Sequence, residues 1–222
     1  MILLLGVVAL SVAAGYILGG RLRTFEQIRL RWWALAPVGL ALQVLPLPDL
    51  AGDVERLLGV VLLIISYVLL IGFVLQNLRL AGFPLLLVGL ALNLAVISVN
   101  GGMPVGKHAL LASGQGSSIV FLEQDPAAKH HLSGPDDLLT PLADVIAIRP
   151  PVAQVVSVGD LLVYAGLAWL VVAVMRGRTA EPVRPREPGR YRGKHRRTRY
   201  RKHESAMTSL PGFEATRSGT SP

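Results

Sequence analysis

The chain has 222 residues, 52% of them hydrophobic, with a mean hydropathy of +0.52 and a formal net charge of +8. That apolar share exceeds the usual range of soluble domains and points to a membrane. The absence of cysteine excludes disulfides, thiolate metal sites and cysteine nucleophiles. The charge is uneven: residues 1–175 hold 9 Lys/Arg and 10 Asp/Glu, while residues 176–222 hold 13 and 4, so the basic excess belongs to the tail.

A helix crossing the hydrocarbon core needs roughly 20 apolar residues, with about 17 as a lower limit. The pattern predicts an all-α, polytopic membrane bundle of five such helices, over residues 2–20, 32–47, 57–76, 83–99 and 155–175. The first run carries no charge. It lacks the basic n-region and cleavage site of a signal peptide and reads as a retained helix. The second opens with Trp32 and Trp33, residues suited to an interfacial belt. The third, "LLGVVLLIISYVLLIGFVLQ", is the clearest, and Pro84 opens the fourth, where its missing N–H does no harm. Alternation of period two is absent from these runs, which disfavours a transmembrane barrel.

The connections set the expected orientation. Residues 21–31 hold four Arg and one Glu, residues 48–56 hold three acids and one Arg, and the last span runs into Arg176, Arg178 and the basic tail. Lys/Arg-rich segments stay cytoplasmic, so the expected threading is N-out and C-in. Phe25, Ile28 and Trp32 recur at helical spacing among the arginines of 21–31. That pattern fits a short helix on the inner leaflet or, equally, a solvated turn.

Residues 100–154 form the expected outer loop. "NGGMPVG" (100–106) is a turn signal, "SSIVFLE" (117–123) is a short strand or helix, and residues 142–158 are apolar enough to lie in the outer interface or fold back over the bundle. Residues 176–222 form the expected disordered cytoplasmic tail, with Pro182, Pro185 and Pro188 at three-residue intervals. Its basic run contains Arg192, Lys194, Arg196, Arg197, Arg199, Arg201 and Lys202. Beside a membrane such a run binds anionic lipid headgroups at about 1 kcal/mol per basic residue. Nucleic acid is disfavoured, since no base-reading motif accompanies the charge.

Few residues carry candidate chemistry. His108, His130 and His131 lack a metal-ligand spacing, so no metal or other cofactor is expected. Asn93 and Asn100 lie seven apart, nearly on one helical face, with Gly89 a turn away and Gly101 and Gly102 following. They are read as helix-packing or ligand-binding positions, with Gln43 and Tyr67 available to join them. Asp144 and Asp160 flank the folded-back stretch. Asp160 suits a cap on the last helix, and Asp144 a cap on a short helix. The functional alternative is a carboxylate dyad sharing one proton, one acid activating water as the other protonates the leaving group.

"LNLAVISVNGGMPVG" (92–106), "TPLADVI" and "VVSVGDLLVYAG" together resemble a bacterial multi-pass membrane-protein family catalogued only as a domain of unknown function. The likeness covers residues 1–175, includes "ILLLGVVALSVAAGYILGGRLR", and implies residence in the plasma membrane without an activity. "SVGD" (157–160) is also similar, locally, to the Asn-x-Ala-Asp motif opening the last helix of lipoprotein signal peptidases. There Asp160 would stand for one catalytic aspartate and Asp144 for the other, though Asp144 lacks the Asn and Arg of that family's first motif. The expected role is a non-enzymatic accessory or scaffold of the cell envelope, working with a membrane-protein partner. The alternative is an outer-face aspartyl hydrolase using Asp144 and Asp160.

Overall fold

The structure is a computed structural model that describes residues 2–46, 52–124 and 129–178. The basic run holding Arg192, Lys194, Arg196, Arg197, Arg199, Arg201 and Lys202 lies outside the described residues. The described chain is mostly helical. Its long elements are α1 (Ile2–Ile17), α2 (Leu35–Val44), α3 (Gly52–Gln76), α4 (Phe83–Asn100) and α7 (Val158–Met175). Of these, α3, α4 and α7 are long and apolar enough to cross a membrane.

The segment between α4 and α7 departs from the all-α expectation. It holds β1 (Met103–Val105), α5 (Lys107–Ala112), α6 (Ser117–Gln124), β2 (His130–Leu132), β3 (Ile146–Ile148) and β4 (Gln154–Val156). β1 pairs parallel with β2, in register Pro104 to His131, and β3 pairs antiparallel with β4, in register Ala147 to Val155. The folded-back stretch is therefore largely a hairpin, and "SSIVFLE" is helical. The last helix starts at Val158 rather than at 155, because Val155 and Val156 belong to β4. Residues Leu22–Gln27 form a 3-10 helix.

The second expected span shortens most. α2 has 10 residues, roughly 15 Å at 1.5 Å per residue, against a hydrocarbon core of about 30 Å. Two features confine it. Trp32 takes a positive φ of 52° ahead of it, and Pro46 pushes Leu45 into an extended conformation behind it. α1 is also shorter than expected, ending at Ile17 with a turn through Gly19.

Close packing at glycines assembles the bundle. A Cβ on Gly166 would lie 2.7 Å from the Gly82 carbonyl oxygen and 2.9 Å from the Leu86 nitrogen, and one on Gly89 would overlap the Gly159 carbonyl. Pairing of 82 with 166 and of 89 with 159 makes α4 and α7 antiparallel, with backbones touching at two points seven residues apart. Gly39 of α2 meets Ser66 and Leu70 of α3, and Gly15 of α1 meets Met175 at the end of α7. The five long helices thus run in alternate directions.

Polar clamps close the helix ends. Asn77 Oδ1 accepts the Arg31 N–H (2.9 Å), and its Nδ2 donates to the Arg31 and Phe73 carbonyls (2.9 and 2.8 Å). This ties the entry to α2 against the end of α3. The Arg21 N–H donates to the Met175 carbonyl at 2.7 Å, satisfying one of the acceptors that the end of α7 leaves open. At the opposite end of the bundle, Met103 and Ala143 pack into one buried cluster with Leu63, Val96 and Ile97, which docks the segment 101–157 onto the helices. Gly166→Leu is expected to separate α4 from α7 and destabilise the fold by about 2 kcal/mol. Gly6→Leu, whose Cβ meets nothing within 4 Å, should leave the thermal unfolding midpoint in detergent unchanged.

Candidate functional site

The first turn of α7 is built by its own sequence. Ser157, extended at φ −91° and ψ 169°, is the N-cap. Its Oγ accepts the Asp160 N–H at 2.9 Å, while Asp160 Oδ2 accepts the Ser157 N–H at 3.1 Å. Ser157-x-x-Asp160 is thus a reciprocal capping box that satisfies two otherwise orphaned donors. The expected cap at Asp160 is corrected accordingly: Ser157 is the cap, and Asp160, three residues on, completes it.

Asn93 joins α4 to this turn. Its Nδ2 donates to Asp160 Oδ1 at 2.8 Å, and its Oδ1 accepts from Ser157 Oγ at 2.9 Å. Asn93 is 2% exposed, so its amide dipole replaces water for two partners at once. The fit requires glycine opposite, since a Cβ at Gly159 would overlap Asn93 Oδ1. Asn100 takes a different task. It brackets Leu138, donating from Nδ2 to its carbonyl (2.9 Å) and accepting its N–H at Oδ1 (2.8 Å). Gly101, in the left-handed region at φ 62°, ends α4, and Gly102 passes close to His131.

These elements enclose a cavity of about 290 Å³ at the end of the bundle. Gln43 and Val44 of α2, Leu63 and Tyr67 of α3, and Asn93 and Ile97 of α4 line its helical side; Met103, Lys129, His130, Asp144 and Asp160 line the rest. The sequence-selected acids Asp144 and Asp160 therefore face one cavity with Asn93, while Asn100, Gly101 and Gly102 do not line it. Gln43 Nε2 is anchored on Ser66 Oγ at 2.9 Å. Lys129 Nζ donates to the carbonyls of Leu42 and Gln43 at 3.2 and 2.5 Å, placing a cation on the open end of α2, where the helix dipole favours it. Burial holds the Lys129 ammonium below its ordinary range.

Asp144 is 8% exposed, and its Oδ1 has no hydrogen-bond partner among the described residues. It caps no helix. It follows the 3-10 turn Thr140–Leu142 and bridges Val105 through its backbone. The nearest charge partner of its Oδ2 is His130 Nε2 at 3.9 Å, on a side chain 52% exposed. Burial first, and the Asp160 charge second, push the Asp144 carboxyl up to about 8. Asp137 behaves in the opposite way. Burial opposes its ionisation, but the Gly134 N–H (2.8 Å) and His131 Nε2 (3.0 Å) outweigh that and hold it below its ordinary value.

Sequence reasoning overlooked Ser157 and Lys129. The Ser-x-x-Asp pattern was available as a capping-box signal, whereas nothing local to Lys129 announces a partner more than eighty residues upstream. The Asp144 shift has a signed consequence. Its folded pKa of about 8 exceeds an unfolded value of about 3.9, so folding takes up a proton between them, and stability fully present below about pH 4 is lost as pH rises to about 8. Asp144→Asn should abolish this slope. Chemical denaturation in detergent is expected to find the variant more stable than the parent at pH 9, by on the order of several kcal/mol, and close to it near pH 4.

The match to known proteins encloses this site. The model for a "Family of unknown function (DUF5317)" covers residues 27–172, a range that contains every cavity-lining residue from Gln43 to Asp160. A Thermotoga maritima protein described as "Uncharacterized protein" is 30% identical over 174 residues, which is 77% of this chain and 92% of that one. No solved structure matches. With two thirds of its length under the family model and a relative aligned almost end to end, the chain belongs to the family of unknown function DUF5317.

Proposed function

We propose that this is a plasma-membrane protein of five spans, N-out and C-in, that holds a small polar molecule in the cavity at the outer end of its bundle. Its role is non-enzymatic, as an accessory or scaffold component of the cell envelope. The observation that carries the reading is the cavity itself, where Asp144, Asp160, Asn93 and Tyr67 converge under a folded cap. Convergent polar and titratable side chains beside the apolar Val44, Leu63, Ile97 and Met103 would fix the orientation of a small polar ligand. The alternate directions of the five helices and the four arginines of residues 21–31 support the threading. α1 and α2 are short for full spans, and local thinning or interfacial anchoring by Trp32 and Trp33 accommodates that mismatch. On this threading residues 1–175 form the membrane domain. The tail 176–222 is cytoplasmic, its basic run meeting anionic lipid and the helix faces leaving room for a membrane-protein partner.

A second reading, an outer-face aspartyl hydrolase, is favoured by Asp144 and Asp160 sharing one cavity while Asp144 holds its proton to about pH 8. An acid kept neutral beside a second carboxyl is the arrangement a dyad needs. Against it, both oxygens of Asp160 are already engaged, by the Ser157 N–H and the Asn93 amide, which fits a structural carboxylate.

The native chain contains no cysteine, so single introduced thiols report topology directly. Asp136→Cys is expected to react with an impermeant maleimide on intact cells, and Arg178→Cys only after permeabilisation; the reverse pattern would overturn the threading. In a lipopeptide-cleavage assay with purified protein, neither the parent nor Asp144→Asn should show turnover. Hydrolysis by the parent that Asp144→Asn abolishes would establish the second reading.

A further inference from the structure

We propose that the cavity binds a small organic cation, a short alkylammonium or guanidinium group, held by the carboxylates of Asp144 and Asp160. This rests on the reading that the cavity receives a ligand, and it names the ligand's chemistry.

The walls carry two acids, and their one lysine is already engaged. The Asn93 and Gln43 amide nitrogens each give one hydrogen, to Asp160 and to Ser66, and the Ser157 hydroxyl donates to Asn93. The Lys129 ammonium is committed to the carbonyls of Leu42 and Gln43. Acceptors remain: the Gln43 side-chain oxygen, spare lone pairs on Asp160, and the Asp144 carboxyl, 8% exposed with one oxygen lacking any partner among the described residues. A ligand that brings donors and a positive charge suits two acids better than a neutral donor does. Val44, Leu63, Ile97 and Met103 offer apolar walls for a short hydrocarbon. A hollow of about 290 Å³ is at the small end of the range for ligand sites. A divalent metal fits less well, since the described residues assemble no group of three or more His, Cys, Asp or Glu able to hold one.

The charge balance is simple. Below pH 8 the Asp144 carboxyl carries a proton; as the ligand binds, that proton leaves to solvent and the ligand's positive charge replaces it. The titratable and charged groups around Asp144 are Tyr67 on α3, Asp160 and Tyr164 on α7, Lys129 just before β2 and His130 at its start. The Lys129 ammonium opposes a second cation, and its carbonyl partners at the end of α2 offset that charge.

The test is calorimetric titration of the full chain in detergent with butylammonium and guanidinium chloride, using butanol and butyrate as neutral and anionic comparators. Saturable binding of at least one cation is expected, with proton release seen from its dependence on buffer ionisation enthalpy. Its affinity should fall about tenfold per pH unit below 8, in proportion to the ionised fraction of Asp144. Asp144→Asn, shown to be folded by its thermal transition, should lose at least tenfold in affinity, while Glu123→Gln on α6 should match the parent. Equal binding of butanol, or of cations to Asp144→Asn, would overturn the cation assignment. In that event, butanol or butyrate binding that Asn93→Ala abolishes would leave the cavity a ligand site of different chemistry. Absence of binding by all four probes would overturn both.

Discussion

The placement of Asn93 against the first turn of α7 is the constraint on which the rest of this end of the bundle depends. An asparagine buried in a helical bundle must find partners for its amide or cost several kcal/mol. Here it donates to Asp160 and accepts from Ser157. Those two residues are already locked to each other by the capping box, so the amide meets a rigid target. Reaching it requires the two backbones to approach within a distance that only glycine allows, and Gly89 and Gly159 supply that approach. One polar side chain thus sets the register of α4 on α7, and a second glycine pair, Gly82 and Gly166, holds the same register toward the far end.

From that register the covering segment follows. α4 runs seven residues past Asn93 to Asn100, and Gly101 in the left-handed conformation then turns the chain directly into β1. Met103 then falls over Leu63, Val96 and Ile97, and Ala143 closes the cluster from the opposite side. Once Ala143 is buried there, the next residue has little freedom. Asp144 is drawn under cover with it, its N–H on the Pro104 carbonyl (3.1 Å) and its own carbonyl on the Gly106 N–H (2.9 Å). The buried carboxyl is a consequence of backbone pairing, not of an ion pair. Burial of a carboxyl that nothing neutralises is rare in proteins whose only concern is stability, because an apolar residue in its place would cost less. That asymmetry is why Asp144 weighs more than Asp160 in the functional argument.

The helices were legible in the sequence wherever composition alone decides. The runs at 57–76 and 83–99 are apolar over a full membrane thickness, and α3 and α4 contain them. Legibility failed where a local conformation overrode composition. Residues 32–47 are as apolar as a span requires, yet Trp32 and Pro46 leave only ten of them helical. Val155 and Val156 continue the hydrophobicity of α7 without a break, but Ser157 caps the helix after them and hands them to β4. The site was half visible. Asp144, Asp160 and Asn93 stood out as polar residues in apolar surroundings, while their meeting depended on pairings across some fifty residues of connecting chain, which no local pattern encodes. Lys129 was invisible for the same reason.

The shortness of α2 accounts for the cavity. A helix continuing past Val44 would carry its side chains along α3 toward the end of the bundle and fill the space beside Leu63. Because Pro46 stops it, the carbonyls of Leu42 and Gln43 remain without intrahelical donors. They face a hollow, not a neighbouring turn. Lys129 answers those carbonyls from the covering segment, and in doing so it draws β2 and His130 across the opening. The same interruption therefore creates the space and recruits its lid. Gln43, the penultimate residue of α2, is left as a polar wall facing Asp144 and Asp160 across the hollow. A mere packing defect would be lined by apolar side chains and closed by their relaxation. This one is edged by an amide, two carboxyls and a lysine, each held by its own hydrogen bonds or backbone pairing, so its walls are not free to relax inward as apolar side chains would.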